Sequence, residues 1–268
     1  MQSLAALFVL GSWWLGTLVV LWAVWLPRHT FRWSLVIASF AAFAGAAGLA
    51  WSSQTATPAA AYVAFGSAML VWSWHEVGFL LGAVTGPRRL PCPPGASGWA
   101  RFRDATLVVI HHEIALAATL GLIVALTHRA PNQVGVATFM VLWAMRLSAK
   151  FNVFLGVRNV SEDFVPSHLR YILTYFRQAR MNPLMPFSVA VGSVVTVALA
   201  RGALSERASA FDLVASALVA ALMAIAVLEH VLLNLPVPDA QLWKWAIRRR
   251  VIDAPLHEVT HADPDAVP

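Results

Sequence analysis

Apolar residues run through this chain in long blocks, with neither the alternation of a half-buried strand nor the narrow stripe of a surface helix. A helix needs roughly 20 apolar residues, at about 1.5 Å rise each, to cross the hydrocarbon core of a bilayer. Blocks of that length lie at about 5–26, 33–51, 59–84, 105–127, 134–155, 184–201 and 211–235, and each is read as a membrane-spanning helix. Pro27, Pro58, Pro131, Pro183 and Pro236 punctuate the ends, where helices start or stop. No repeat of 20–50 residues and no soluble domain interrupts the pattern. The expected fold is all-α: a polytopic bundle of about seven transmembrane helices forming a single domain over 1–250.

Two connecting segments carry a different pattern. From Pro166 to Arg177, Leu169, Ile172, Leu173 and Phe176 share one face of a helix while Arg170 and Arg177 lie on another, which predicts a short interfacial helix over 166–177. Near 241–250, Trp243, Lys244, Trp245, Arg248, Arg249 and Arg250 predict a second interfacial anchor that favours anionic lipid. The polar stretch 251–268 is expected to be a disordered tail.

Composition sharpens this picture. Hydrophobic residues make up 59% of the 268 and charged residues only 12%, about half the usual share in soluble domains. Mean hydropathy is +0.68. Trp25, Trp33, Trp243 and Trp245 flank basic segments, and Trp13, Trp14 and Trp51 lie towards the opposite face, as in interfacial aromatic belts. The N terminus lacks a basic leader, and its first apolar block is long enough to span, so no cleavable signal peptide is expected.

Charge sets the orientation. Arg28, Arg32, Arg88, Arg89, Arg101, Arg103, Arg158, Arg170, Arg177, Arg180, Lys244, Arg248, Arg249 and Arg250 fall on one side of a seven-span layout. Only Arg129, Arg201 and Arg207 fall on the other. Fourteen against three places the first set in the cytoplasm, the N terminus in the periplasm and the C terminus inside. The same bias accounts for the net charge of +6 without invoking nucleic acid. The single cysteine, Cys92, excludes an intrachain disulfide and a cysteine-only metal site.

Ionisable residues inside spans cost about 2.5–3.5 kcal/mol each on insertion scales, so they are candidates for function. His75 and Glu76 stand in the third block, His111, His112 and Glu113 in the fourth, and Glu229 and His230 in the seventh; Arg146, Lys150 and Asn152 stand in the fifth. Measured from the cytoplasmic ends, the three His–Glu pairs lie at similar depth. Imidazole and carboxylate from facing helices could bind Fe, Mn or Zn. Neighbours on a helix point about 100° apart, so one member of a pair could ligate while the other supports it. Equally, the glutamates could pair with Arg146 and Lys150 in a structural network, or one histidine could ligate bacteriochlorophyll or haem. The Pro-rich loop carrying Arg88, Arg89 and Cys92 could meet lipid phosphate, a substrate carboxylate or a partner. Arg158, Asn159, Glu162, Asp163 and His168 could cover a site at that face.

At these residues the chain resembles a known family. Gly86-Pro-Arg-Arg, Pro91-Cys-Pro-Pro-Gly-Ala, Gly98-Trp, His112-Glu, Lys150-Phe-Asn-Val-Phe-Leu-Gly-Val-Arg-Asn, Glu229-His and Leu235-Pro-Val-Pro-Asp-Ala-Gln-Leu-Trp-Lys-Trp resemble, in that order, the PuhE family of photosynthetic complex assembly proteins. The resemblance implies a protein of the inner or intracytoplasmic photosynthetic membrane of anoxygenic phototrophic bacteria, encoded near the reaction-centre H subunit. It implies a role in assembling the photosynthetic apparatus or modulating bacteriochlorophyll supply, with complex subunits or bacteriochlorophyll synthesis enzymes as partners. It carries over no catalytic residues. Two further expectations follow from the residues: a metal-dependent enzyme acting on a tetrapyrrole, quinone or lipid, and a pigment carrier.

Overall fold

The computed structural model describes residues 2–160 and 165–235. They form seven α-helices: α1 (Gln2–Val24), α2 (Phe31–Ser52), α3 (Pro58–Leu80), α4 (Gly98–Leu126), α5 (Val134–Leu155), α6 (Leu184–Ala203) and α7 (Ala210–Leu232). There is no β-strand among the described residues. The segments expected as an anchor at 241–250 and a tail at 251–268 lie outside them.

All of these helices except α3 are long and apolar enough to cross a membrane, which makes the chain a multi-pass membrane protein. α3 is as long as the others but carries His75 and Glu76 with several Ser and Trp residues. It packs against α1, α2, α4, α5 and α7, and 12 of its 23 residues are buried. A helix surrounded by protein has little side exposed to lipid, so it tolerates polar residues that an outer helix would not.

Local chemistry sets the helix ends. α3 starts with Pro58 at its first position and with the Thr57 side chain accepting from the Ala60 amide. At α7, the Ser209 hydroxyl accepts from the Asp212 amide at 3.1 Å while Asp212 accepts from the Ser209 amide at 3.3 Å, a reciprocal cap. Two buried asparagines join helices as well as capping them. Asn132 Oδ1 accepts from the Val134 amide and its Nδ2 donates to Ser52 O, tying α5 to α2. Asn182 Oδ1 accepts from the amides of Leu184 and Met185, and its Nδ2 donates to the carbonyls of Asn152 and Gly156 at the end of α5.

One apolar core joins Ala5 and Val9 of α1, Ala64 and Phe65 of α3, Val134 of α5 and Leu218 and Leu222 of α7. A second joins Leu49, Ala68, Trp72, Leu116 and Phe139 across α2 to α5. α2 and α3 lie close because Gly45 has no side chain: a Cβ there would stand 2.7 Å from Ser67 O.

The largest departure from the sequence expectation is at the junction of α3 and α4. α3 ends at Leu80, short of the expected 84, and α4 begins at Gly98, before the expected 105. With 29 residues α4 is about 43 Å long, more than a bilayer core requires. Its extra turns form a cap with the 81–97 strap and a 3₁₀ helix, Ser167–Tyr175. The strap is bonded along α4: Arg88 N donates to Leu107 O at 3.2 Å and His112 N to Thr85 O at 2.9 Å. Gly86 lies directly on the α4 backbone at Leu107 and Val108, where a Cβ could not fit.

The segment expected as an α-helical amphipath over 166–177 is this 3₁₀ helix. It buries Leu169, Ile172 and Tyr175, spaced three apart as its three residues per turn require, and leaves Leu173 and Phe176 only half-buried. These side chains pack on Val108 of α4.

Candidate functional site

Four residues between α5 and its neighbours form two ion pairs. Arg146 and Lys150 are four apart on α5 and share one face. Arg146 Nη2 lies 2.9 Å from Glu76 Oε2 on α3. Lys150 Nζ pairs with Glu113 Oε1 on α4, and Trp143 Nε1 donates to the other oxygen of the same carboxylate at 3.0 Å. Lys150 also lies 5.4 Å over the Phe79 ring. Glu229 of α7 accepts from the Trp13 indole and stands within electrostatic range of Arg146.

The roughly 100° step between neighbours on a helix divides each His–Glu pair. Glu76 and Glu113 turn to α5, whereas His75 and His112 turn to each other, ring centres 6.2 Å apart. Both imidazoles are buried, at 3% and 1% exposure. His75 Nε2 meets Thr119 Oγ1 at 3.0 Å. The Nδ1 atoms of His75 and His112 are buried without a hydrogen-bond partner among the described residues, as is Thr85 Oγ1 on the strap, whose carbonyl accepts from the His112 amide. Phe79 lies 4.7 Å from the His112 ring and Phe139 6.0 Å from the His75 ring.

His230 belongs to a different group. Its Nδ1 contacts Ala226 O at 2.9 Å and its Nε2 contacts Ser148 Oγ at 3.0 Å. Ser148 donates to Ser188 Oγ at 3.0 Å, and Asn152 Nδ2 donates to the Ser148 carbonyl and to Ser188 Oγ. This network joins α5, α6 and α7.

The remaining expected site residues lie elsewhere. His111 is exposed on α4 and faces away from His112. Arg88 is held in the cap: its Nε donates to the Tyr175 hydroxyl at 2.8 Å and its Nη2 lies 3.5 Å from Asp104. Arg89 donates to Gly82 O at 3.3 Å. Arg158 is exposed, and the Asn159 amide donates to Leu233 O at 2.9 Å. His168 Nε2 contacts Leu80 O at 3.0 Å, closing the end of α3, and burial lowers its pKa. A surface hollow of about 500 Å³ beside Cys92, lined by Arg101, Thr174 and Arg177 among others, lies on the cap away from the charged cluster.

Six of the seven residues considered for Fe, Mn or Zn therefore divide among an ion-pair belt, a histidine pair and a serine–asparagine network, and the seventh, His111, stands exposed on α4. Among the described residues, no three His, Cys, Asp or Glu side chains are placed to hold one ion. His75, His112 and His230 are buried, and His111 is the exposed histidine of the set. Sequence reasoning did not single out Trp143, Thr119, Ser148 and Ser188. A polar residue inside an apolar block was the available signal for each.

Comparison with known proteins gives two findings. Residues 1–253 match the model of a family described as protein of unknown function (DUF3623). The chain is also 35% identical, over 99% of its length and 97% of the relative's, to an uncharacterized 30.4 kDa protein in the puhA 5' region of Rhodobacter capsulatus. No solved structure matches the chain. The chain belongs to the DUF3623 family.

Proposed function

We propose that this member of the DUF3623 family is a non-catalytic factor of the photosynthetic membrane. It supports assembly of the reaction centre–light-harvesting apparatus or the supply of bacteriochlorophyll to it. The observation that carries the non-catalytic reading is the pairing of Glu76 with Arg146 and Glu113 with Lys150. Two of the three in-span carboxylates that a membrane enzyme could use as base or ligand already neutralise a cation on α5, so the belt joins helices. The photosynthetic part rests on the relative's place in the puhA region and on the resemblance to the PuhE family.

In this reading the chain crosses the membrane seven times, with α3 as the central span, its N terminus outside and its C terminus in the cytoplasm. Seven spans keep the fourteen basic residues together on the cytoplasmic side. The cap then faces the cytoplasm, where basic residues meet anionic lipid and where complex subunits or bacteriochlorophyll synthesis enzymes would dock.

Deletion of the gene in the native host, followed by complementation, tests this reading. Deletion is expected to lower assembled reaction centre–light-harvesting complex or total bacteriochlorophyll. A Glu113→Gln/Lys150→Met chain, which removes both charges together, is expected to accumulate in the membrane and restore the complexes. Unchanged pigment and complexes after deletion would overturn the photosynthetic role. Loss of rescue by a double variant that accumulates normally would overturn the non-catalytic reading.

A further inference from the structure

His75 and His112 hold a feature that the ion-pair belt does not explain: two enclosed imidazoles, each with a nitrogen that nothing among the described residues satisfies. Buried polar atoms without partners are uncommon in native proteins, and each calls for a ligand, an ion or an ordered water. We propose that His75 and His112 bind one monovalent copper ion, held in line between their Nδ1 atoms. This goes beyond the assembly reading and does not depend on it.

Distance supports the assignment. About 1.1 Å from ring centre to nitrogen and about 2.0 Å from nitrogen to metal put the centres of two in-line imidazole ligands about 6.2 Å apart. The observed ring centres lie 6.2 Å apart with their planes at 74°, which admits an ion in line when both Nδ1 atoms face the gap. His75 is also prepared as a ligand: with its proton on Nε2 it donates to Thr119 Oγ1 and leaves a lone pair on Nδ1. Ligating histidines commonly have such a partner on the second nitrogen, which sets tautomer and ring orientation.

The ligand count selects the ion. Zinc in a structural site takes four ligands, and calcium and magnesium take six or more. Here the neighbouring carboxylates are engaged by Arg146 and Lys150, and no third His, Cys, Asp or Glu among the described residues completes a set. Monovalent copper, with a filled d shell, is stable with two nitrogen donors in line, and imidazole suits copper.

Arg146 and Lys150 stand near His112, and each is paired with its own glutamate. A single charge is also less costly to bury than a double one. Phe79, Phe139 and Trp74 surround the rings and keep water from the ion.

The test uses the full-length protein in detergent, prepared without chelators and kept anaerobic. Copper(I) is titrated in competition with a chromophoric copper(I) chelator, and the loaded protein is measured by elemental analysis and X-ray absorption. One copper per chain is expected, with two nitrogens at about 2.0 Å, lost in His75→Ala and His112→Ala and retained in His111→Ala. Thr119→Val keeps both ligands and is expected to lower affinity about 10–100-fold, which separates loss of the site from loss of the fold. Absence of copper from folded wild-type protein would overturn the proposal. So would retention of copper by a chain carrying both His75→Ala and His112→Ala, or a four-coordinate spectrum. Complementation by the histidine variants reports separately on the assembly role.

Discussion

Arg146 Nη2 on α5 lies 2.9 Å from Glu76 Oε2 on α3, so the one helix of the seven that does not qualify as a span by length and apolarity is fastened by charge to the neighbour that carries Arg146 and Lys150. The two partners are unequally covered. Glu76 keeps 12% of its side-chain surface and Arg146 keeps 48%. Removing the cation therefore strands a buried carboxylate, whereas Glu76→Gln leaves the guanidinium an amide oxygen that can still accept from it.

That asymmetry predicts an order of stabilities. Arg146→Met is expected to destabilise by about 3–5 kcal/mol and Glu76→Gln by less, about 1–3 kcal/mol. The double variant should be more stable than the sum of the singles implies. Thermal unfolding in detergent measures all three, and strictly additive losses would show that the pair is not coupled.

The strap depends on Gly86. A side chain there meets the α4 backbone at Leu107 and Val108, so Gly86→Ala forces the strap outward. The expected loss is about 1–3 kcal/mol, as for overpacking in a core. Cys92 follows on the same strap, held through its amide to Thr174 Oγ1 at 2.8 Å. Because it is the only cysteine, its rate of maleimide labelling reports on the strap and should rise in the variant. An unchanged rate would mean that the loop absorbs the methyl group.

The cap should loosen in acid. His168 lies between Phe31 and the end of α3, and burial lowers its pKa below the ordinary 6.5. A depressed imidazole pKa means that the unfolded form binds the proton more readily. Its contribution to stability is therefore full above pH 6.5 and is lost as pH falls below it. Protease cleavage in the cap should increase below that pH in the wild type. His168→Gln, which cannot titrate, should flatten the profile; an equal acid response in that variant would assign it to another group.

Orientation can be read with the same thiol. A membrane-impermeant maleimide should reach Cys92 only from the cytoplasmic side. In a Cys92→Ser background, Arg129→Cys and Ser205→Cys should label only from outside. Labelling of all three positions from one side would rule out the seven-span arrangement.

Much of the architecture was legible in hydropathy. The block at 134–155 coincides with α5 at both ends, because Asn132 and Gly156 bound a stretch apolar enough to need lipid or protein around it. The α3–α4 junction was not legible. Residues 81–84 are apolar enough to continue a span, yet they leave the helix so that the strap can bond along α4, and only the contact with Leu107 and Val108 discloses it. In the same way, Leu173 and Phe176 suited the α-helical period, but docking on Val108 selected the three-residue period of Leu169, Ile172 and Tyr175.

By itself, the sequence determined that this is a multi-pass helical membrane protein with an unusual set of ionisable residues in its spans. Those properties depend on how many apolar residues stand in a row and what solvent they require, and both are local. Tertiary structure alone decided that Glu76 meets Arg146, that Glu113 meets Lys150, that His75 faces His112 and that His230 joins Ser148 instead. Partner choice depends on the rotation and depth of each helix against its neighbours. Those are set by many contacts between residues far apart in the chain, so no local window of the sequence carries them.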